Sequence, residues 1–318
     1  MVECKSLSLA VFFLFLAVVF GFHYASPQPL VNAGGAVLVT GASSGIGLSA
    51  AKRLKQEGLT VFAAHRKAQD AIVLESFGLI PILLDVTIPA HIEAAFQTIQ
   101  HSQVPLVGIV NNAGSTTKKP LETVHMSTVR QVFDVNVFGA LAVTQRFLPL
   151  LRDTVSNGGG ARVVFIGSVS GIISLPLNGV YSMSKYALEA MADTLRRELY
   201  KSNIAVSMVN PAYVNTNFRS RGVNSIQDIS ALERTLYGAE FDKLNRKMKK
   251  RVTFAAPCCN VTDDAISHAV LSANPRTRYY PAVVAPHVPA WLMTPVIRSL
   301  GVFTFTERLA DWIVVKLF

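Results

Sequence analysis

Tyr181 and Lys185 are spaced so that, on a helix, their side chains share one face. A phenol with a pKa of about 10 is a poor proton donor or acceptor near neutrality. An ammonium one helical turn away favours the phenolate and lowers that value. The pair is therefore suited to moving a proton to or from a substrate oxygen. Ser168, 13 residues before the tyrosine, adds a hydroxyl able to hold such an oxygen. Singly, each residue reads as well as an ordinary amphipathic helix pair or a turn serine. Upstream lies a glycine-rich turn, Thr40-Gly-Ala-Ser-Ser-Gly-Ile-Gly47, between a strand-like run and a helix-like segment. Glycines there let the backbone approach a pyrophosphate, and the helix N-terminus that follows favours its negative charge. The spacing, Gly41-x-x-x-Gly45-x-Gly47, differs from the standard dinucleotide fingerprint. A nucleotide cradle and a proton-transfer pair in one chain point to an oxidoreductase.

Such groups need a rigid frame. Ala36-Val-Leu-Val39 is a short apolar run that predicts a buried strand, and Gly45 to Glu57 predicts a helix closed by Gly58. Further strands are expected at Thr60 to Ala64, Leu79 to Leu84, Val104 to Val110, Arg162 to Ile166 and Ile204 to Val209. Pro81 suits an edge strand or a strand start. A long helix is expected over about 127–152, and another carries Tyr181 to about Lys201. Strands separated by helix-length segments predict an α/β fold: a single Rossmann-type, doubly wound parallel sheet covered on both faces. That domain is assigned residues 36–280. Within it, residues 217–255 are polar, basic and weakly patterned, and read as a lid or substrate insert.

The ends of the chain differ in character. Half of the residues are hydrophobic and only 16% are charged, against about a quarter in a soluble domain. From Leu7 to Phe22 there is no charge, and no small-residue cleavage pattern follows. Residues 1–25 are therefore read as an N-terminal membrane anchor, with a removed signal or a core helix as alternatives, and 26–35 as a linker. Residues 281–318 form an apolar C-terminal extension interrupted by charges, read as a membrane- or subunit-contact tail. Net charge is +10, much of it from Lys243 to Arg251. That run reads first as a solvated helix face and second as a contact for anionic lipid; no aromatic interleaving accompanies it, so no nucleic acid is expected. Cys4, Cys258 and Cys259 make neither a disulfide framework nor a metal site. Asn260-Val-Thr262 is a glycosylation sequon that matters only if the domain is lumenal.

Taken together, Thr40 to Gly47, Asn111-Asn-Ala-Gly114, Ser168, Tyr181-x-x-x-Lys185 and Asn210-Pro211 resemble the short-chain dehydrogenase/reductase family over residues 36 to about 216. Pro275 to Tyr279 and the apolar tail look like its membrane-bound retinol and hydroxysteroid dehydrogenase branch, which implies the endoplasmic reticulum. The resemblance implies that Tyr181 is the general acid or base, that Lys185 holds the nicotinamide ribose, and that Ser168 holds the substrate oxygen. It implies that Asn136, in Val135-Asn-Val-Phe-Gly139, holds a water that relays protons to Lys185. For the cofactor it implies Gly41, Ser43, Ser44, Gly45, Ile46 and Gly47 at the pyrophosphate, and Asp85 and Val86 at the adenine. Asn112, Ala113 and Gly114 are implied on the adenosine side, and Val214 and Thr216 at the carboxamide. The second strand ends in His65-Arg66-Lys67, where an acidic residue would select NAD; Arg66 favours NADP(H), with NAD(H) as the alternative. Leu175, Pro176, Tyr213 and Phe218 are expected near a lipophilic alcohol or carbonyl substrate. A homodimer through two long helices is implied as well. The rival from another class is a nucleotide-binding membrane scaffold without catalysis; the presence of all four catalytic positions counts against it.

Overall fold

The structure is a computed structural model and describes residues 29–31, 34–214, 216, 218, 229–251, 259–281, 283–285 and 288–289. Seven parallel strands form one sheet. They are β1 (Ala36–Val39), β2 (Thr60–His65), β3 (Ile80–Leu83), β4 (Leu106–Asn111), β5 (Ala161–Ile166), β6 (Ile204–Val209) and β7 (Arg278–Tyr279). Their order across the sheet is β3-β2-β1-β4-β5-β6-β7. The central strands β1, β4 and β5 are buried along their whole length, as expected of a parallel sheet covered on both faces. The edge strand β3 is largely open and carries Pro81 opposite Ala63, where a missing N–H is tolerated.

Helices cover both faces. They are α1 (Gly45–Gln56), α2 (Asp70–Ser76), α3 (Pro89–His101), α4 (Met126–Phe133), α5 (Gly139–Ser156), α6 (Gly179–Glu198), α7 (Ala231–Arg251) and α8 (Asn260–Leu271). On one face Leu38, Phe62, Ile109 and Phe165 pack against Phe96, Phe147, Leu151 and Leu188 from α3, α5 and α6. On the other, Val37, Val39, Val110 and Val164 pack against Ala50 and Leu54 of α1, Leu74 of α2, and Ile266 and Val270 of α8. Alternate residues of each strand thus feed two separate cores, as the pleat requires. The chain reverses direction across the sheet between β1 and β4, which opens a crevice at their carboxyl ends.

The doubly wound sheet expected from the sequence is present, with every expected strand in place. The helix expected over 127–152 is divided: a π turn, Asp134–Phe138, separates α4 from α5. The segment expected as an unpatterned insert holds α7, kinked at Tyr237. Its described side chains include only two that are buried, Glu233 and Phe241, so the sequence carries little periodicity there. Cys259 is disulfide-bonded. The expected anchor, residues 1–25, and most of the tail lie outside the described residues. Among the described residues no helix is long and apolar enough to cross a membrane.

Candidate active site

The crevice is built by two turns that lock together. Thr40, at the end of β1, accepts through Oγ1 from the amides of Asn112 (2.9 Å) and Ala113 (3.0 Å). The Asn112 amide group donates back to the carbonyls of Thr40 (2.8 Å) and Gly41 (3.0 Å). A Cβ on Gly47 would sit 2.4 Å from both the Gly41 carbonyl oxygen and Asn112 Nδ2, so this lock tolerates no side chain there. The first turn then delivers Ser43, Ser44, Gly45 and Ile46 to the cleft wall at the N-terminus of α1.

The cleft holds about 1140 Å³ of space, counting that open to solvent. Its walls bring together almost every residue singled out in the sequence: Gly41, Arg66, Asp85, Val86, Ala113, Gly114, Ser168, Tyr181, Lys185, Val214 and Thr216 all face it. Gly47 and Asn136 do not; they stand behind the wall. At the far end of β2, Arg66 lies 4.0 Å from the Asp85 carboxylate. Burial raises the Asp85 pKa, but donation from the Thr87 amide (3.0 Å) and hydroxyl (2.7 Å), with Arg66 and His91 nearby, outweighs it and leaves Asp85 below its usual value.

At the other end, Ser168 caps a short 3-10 turn, Val169–Gly171, and its Oγ accepts from the Ser170 amide at 3.1 Å. Its hydroxyl faces Tyr181 closely enough to favour the phenolate. Lys185 is buried and donates to the Ile166 carbonyl at 2.7 Å. Its Nζ stands 5.7 Å from the centre of the Tyr181 ring.

This geometry corrects one expectation. Lys185 does not lower the Tyr181 pKa. Burial pushes the phenol up to about 12, and the Ser168 hydrogen bond offsets only part of that. The same enclosure draws the Lys185 ammonium down to about 8. Its Nζ donates to the Ile166 carbonyl at the end of β5. The tyrosine is thus held as a phenol near neutrality.

Asn136 sits in the π turn, a device frequent at functional sites. Its Oδ1 accepts from the Ser115 amide (2.7 Å), and its Nδ2 donates to the Ser115 carbonyl (2.9 Å) and Ser184 Oγ (2.9 Å). These bonds tie the loop after β4 to the helix that carries Tyr181. Of the expected substrate neighbours, Phe218 lines the cleft, its ring 5.8 Å from that of Tyr181. Leu175, Pro176 and Tyr213 are not among the lining residues.

Sequence reasoning missed His65, Leu84, Val135, Ile166 and Gly167, all on the wall. Four of them share a usable signal: they end a strand or immediately follow one. Lys118 was missed too. It donates to Asn178 Oδ1 and lies 5.6 Å from the Tyr181 ring centre, on a loop with no pattern. Its neighbour Lys119 pairs with Glu233 of α7 at 2.9 Å and ties that loop to the α7 insert. Burial opposes the Glu233 charge, but Lys119, the Ser230 amide and Thr123 hold its carboxyl at about 2.

The family model for short chain dehydrogenase matches residues 35–225. The chain is 38% identical to the uncharacterized oxidoreductase YbbO of Escherichia coli (strain K12), over 76% of this chain and 84% of that protein. It is 33% identical to mitochondrial D-beta-hydroxybutyrate dehydrogenase of Mus musculus, over 81% of this chain and 79% of the relative. It is 34% identical to retinol dehydrogenase 7 of Rattus norvegicus, over 76% and 79% respectively. The tyrosine, lysine and serine gathered beside a glycine turn at the sheet's switch point thus stand in a chain that belongs to the short chain dehydrogenase family, an NAD(P)-dependent oxidoreductase of CH–OH groups.

Proposed function

We propose that the protein interconverts a lipophilic alcohol and its carbonyl compound with NADP(H), and that Tyr181 is the general acid and base. The observation that carries this reading is the pair of hydroxyls, Tyr181 and Ser168, brought together at one end of a cleft whose other end is a glycine turn. The chain fits a dinucleotide. The turn from Ser43 to Ile46 presents backbone N–H groups at the start of α1 for a pyrophosphate. Asp85 and Val86 would take the adenine, Arg66 a 2′-phosphate, Asn112 to Gly114 the adenosine side, Lys185 the ribose, and Val214 and Thr216 the carboxamide. When bound, the nicotinamide supplies the hydride.

The protein's own part is placement and the proton. Ser168 Oγ holds the substrate oxygen beside Tyr181 Oη. Tyr181, kept protonated by burial, donates to that oxygen as negative charge develops on it. In the reverse direction the same oxygen accepts the alcohol proton. Lys185 would hold the nicotinamide ribose, and Asn136 fixes the loop and helix between which the proton leaves. Phe218 beside Tyr181 gives the reacting end an apolar flank, which suits a lipophilic substrate such as a retinoid, steroid or keto-lipid. The uncharged run from Leu7 to Phe22 fits an anchor in the membrane where such substrates reside, in this reading the endoplasmic reticulum.

One observation favours a second substrate class. Lys118, 5.6 Å from the Tyr181 ring, would receive a carboxylate one methylene away from the reacting carbon, as in a 3-hydroxy acid. A panel of retinoid, steroid, keto-lipid and short 3-oxo acid substrates with both cofactors separates the two. The expected result is turnover of a lipophilic carbonyl with NADPH, abolished in Tyr181→Phe. Full turnover in that variant would overturn the proton-transfer role, and turnover confined to short acids would overturn the substrate class.

A further inference from the structure

We propose that Asp193, Arg278, Glu189 and Asn210 form a positioning chain that sets the place of Ser168, and so the hydroxyl that holds the substrate oxygen. The inference rests on the oxidoreductase reading and names residues outside its catalytic set.

The chain starts at the short strand β7. Arg278 donates through Nε to Glu189 Oε2 at 2.8 Å, and its Nη2 lies 2.8 Å from both Glu189 Oε2 and Asp193 Oδ2. Glu189 and Asp193 lie one helical turn apart on α6, the helix that also carries Tyr181 and Lys185. The other Glu189 oxygen, Oε1, accepts from Asn210 Nδ2. Asn210 is fully buried just beyond β6, and its Oδ1 accepts from the Ser168 amide at 2.9 Å. Its own amide donates to the Tyr279 carbonyl at 2.8 Å, which joins β7 to the same point. A Cβ on Gly167 would come 2.0 Å from Asn210 Oδ1, so the residue before Ser168 must be glycine for this contact to exist.

The chemistry gives the chain a direction. A carboxamide can turn over and exchange its oxygen for its nitrogen at little cost in shape. Ser168 N–H needs the oxygen. Glu189 is an acceptor at both oxygens, with donors on either side, so it compels Asn210 to present Nδ2 to it and Oδ1 to Ser168. Arg278, bridging two carboxylates, holds Glu189 in that role. A glutamine at 189 has the same shape but places an NH₂ against a donor, whether Arg278 or Asn210. Either Arg278 loses its partner or Asn210 turns and sets a donor against the Ser168 amide. Ser168 and the following turn then lose the anchor that aims the hydroxyl at Tyr181.

The test uses the full chain. Glu189→Gln is compared with the wild type by amide hydrogen exchange at Ser168, by cofactor dissociation constant, and by single-turnover hydride transfer. Faster Ser168 exchange is expected, with hydride transfer slowed about tenfold to a hundredfold, the scale of a small misplacement, and cofactor affinity within about threefold. Arg278→Lys should retain more activity than Arg278→Met, because a lysine keeps one of the two carboxylate contacts. In a Ser168→Ala background Glu189→Gln should cost little more, since both act through one hydroxyl. An undiminished cost in that background, or unchanged Ser168 exchange, would overturn the proposal. A wild type inactive on every substrate would sink the oxidoreductase reading instead, and the exchange measurement would still decide the chain.

Discussion

At Tyr181 and Lys185, enclosure penalises the charged form of each side chain, and the two penalties change stability with pH in opposite directions. Lys185 binds its proton with a pKa of about 8 when folded, against 10.5 for the free side chain. Between those values the unfolded chain holds more protons, so this group makes stability rise with pH. Tyr181 has the reverse sign: folded at about 12 and free at 10.0, it keeps a proton that the unfolded chain loses, and stability falls across that interval. Urea midpoints of wild type and Lys185→Met, measured from pH 7.5 to 10, should converge as the pH rises, because only the wild type gains; parallel curves would refute the buried-ammonium account. Arg66 offers a prediction of another kind. It is the cation at the rim beside Asp85, and an ion-paired hydrogen bond contributes about 1.5–3 kcal/mol. Arg66→Ala should therefore lower the ratio of kcat/KM for NADPH over NADH by about tenfold or more, and an unchanged ratio would remove Arg66 from cofactor choice.

Helix α8 shows how one element tunes another. Asp263, in its first turn, faces Ser49 of α1 and accepts from that hydroxyl, while its other oxygen is buried without a hydrogen-bond partner. Burial pushes the carboxyl up to about 6, with Ser49 and Arg53 opposing and Asp264 adding to the shift. A carboxyl raised from 3.8 contributes stability below that pH and loses it as the pH climbs through about 6. Asp263→Asn should flatten the thermal-unfolding profile between about pH 4 and 6 and leave the protein more stable than wild type near pH 7. This contact was not legible in the sequence, and the reason is general to the molecule. The strands β1, β4, β5 and β6 announce themselves because they are buried on both faces for nearly their whole length and their runs are mostly apolar. The glycine turn and the tyrosine–lysine spacing are local too. What escaped is non-local or short. β7 is two residues long and exists only because β6 offers an edge, and α7 buries too few described side chains to show a period. The bonds of Asn136 to Ser115 and Ser184, and of Asn210 to Glu189, join residues 21 or more apart in the chain, where spacing says nothing. The direction of the Tyr181 shift depended on enclosure, which the sequence does not measure.

Over the whole molecule, the two sheet faces are already covered: α3, α5 and α6 fill one and α1, α2 and α8 the other. The 16 residues from Leu7 to Phe22 carry no charge. At about 1.5 Å per residue a helix of that length, extended by the neutral residues after it, approaches the hydrocarbon thickness of a bilayer. In the proposed anchor, burying that apolar surface in lipid at roughly 25 cal/mol per Å² would greatly outweigh any surface-charge attraction of the Lys243–Arg251 run. The two contributions differ in how they respond to solvent. Alkaline carbonate strips proteins held by charge and leaves inserted helices in place. The full chain is therefore expected in the membrane pellet after carbonate extraction, and the same chain without residues 1–25 in the supernatant, with its hydride-transfer activity on a detergent-dispersed substrate retained. Release of the full chain by carbonate would show that the apolar segment does not insert, and would leave the basic helix and the tail as the membrane contacts to examine.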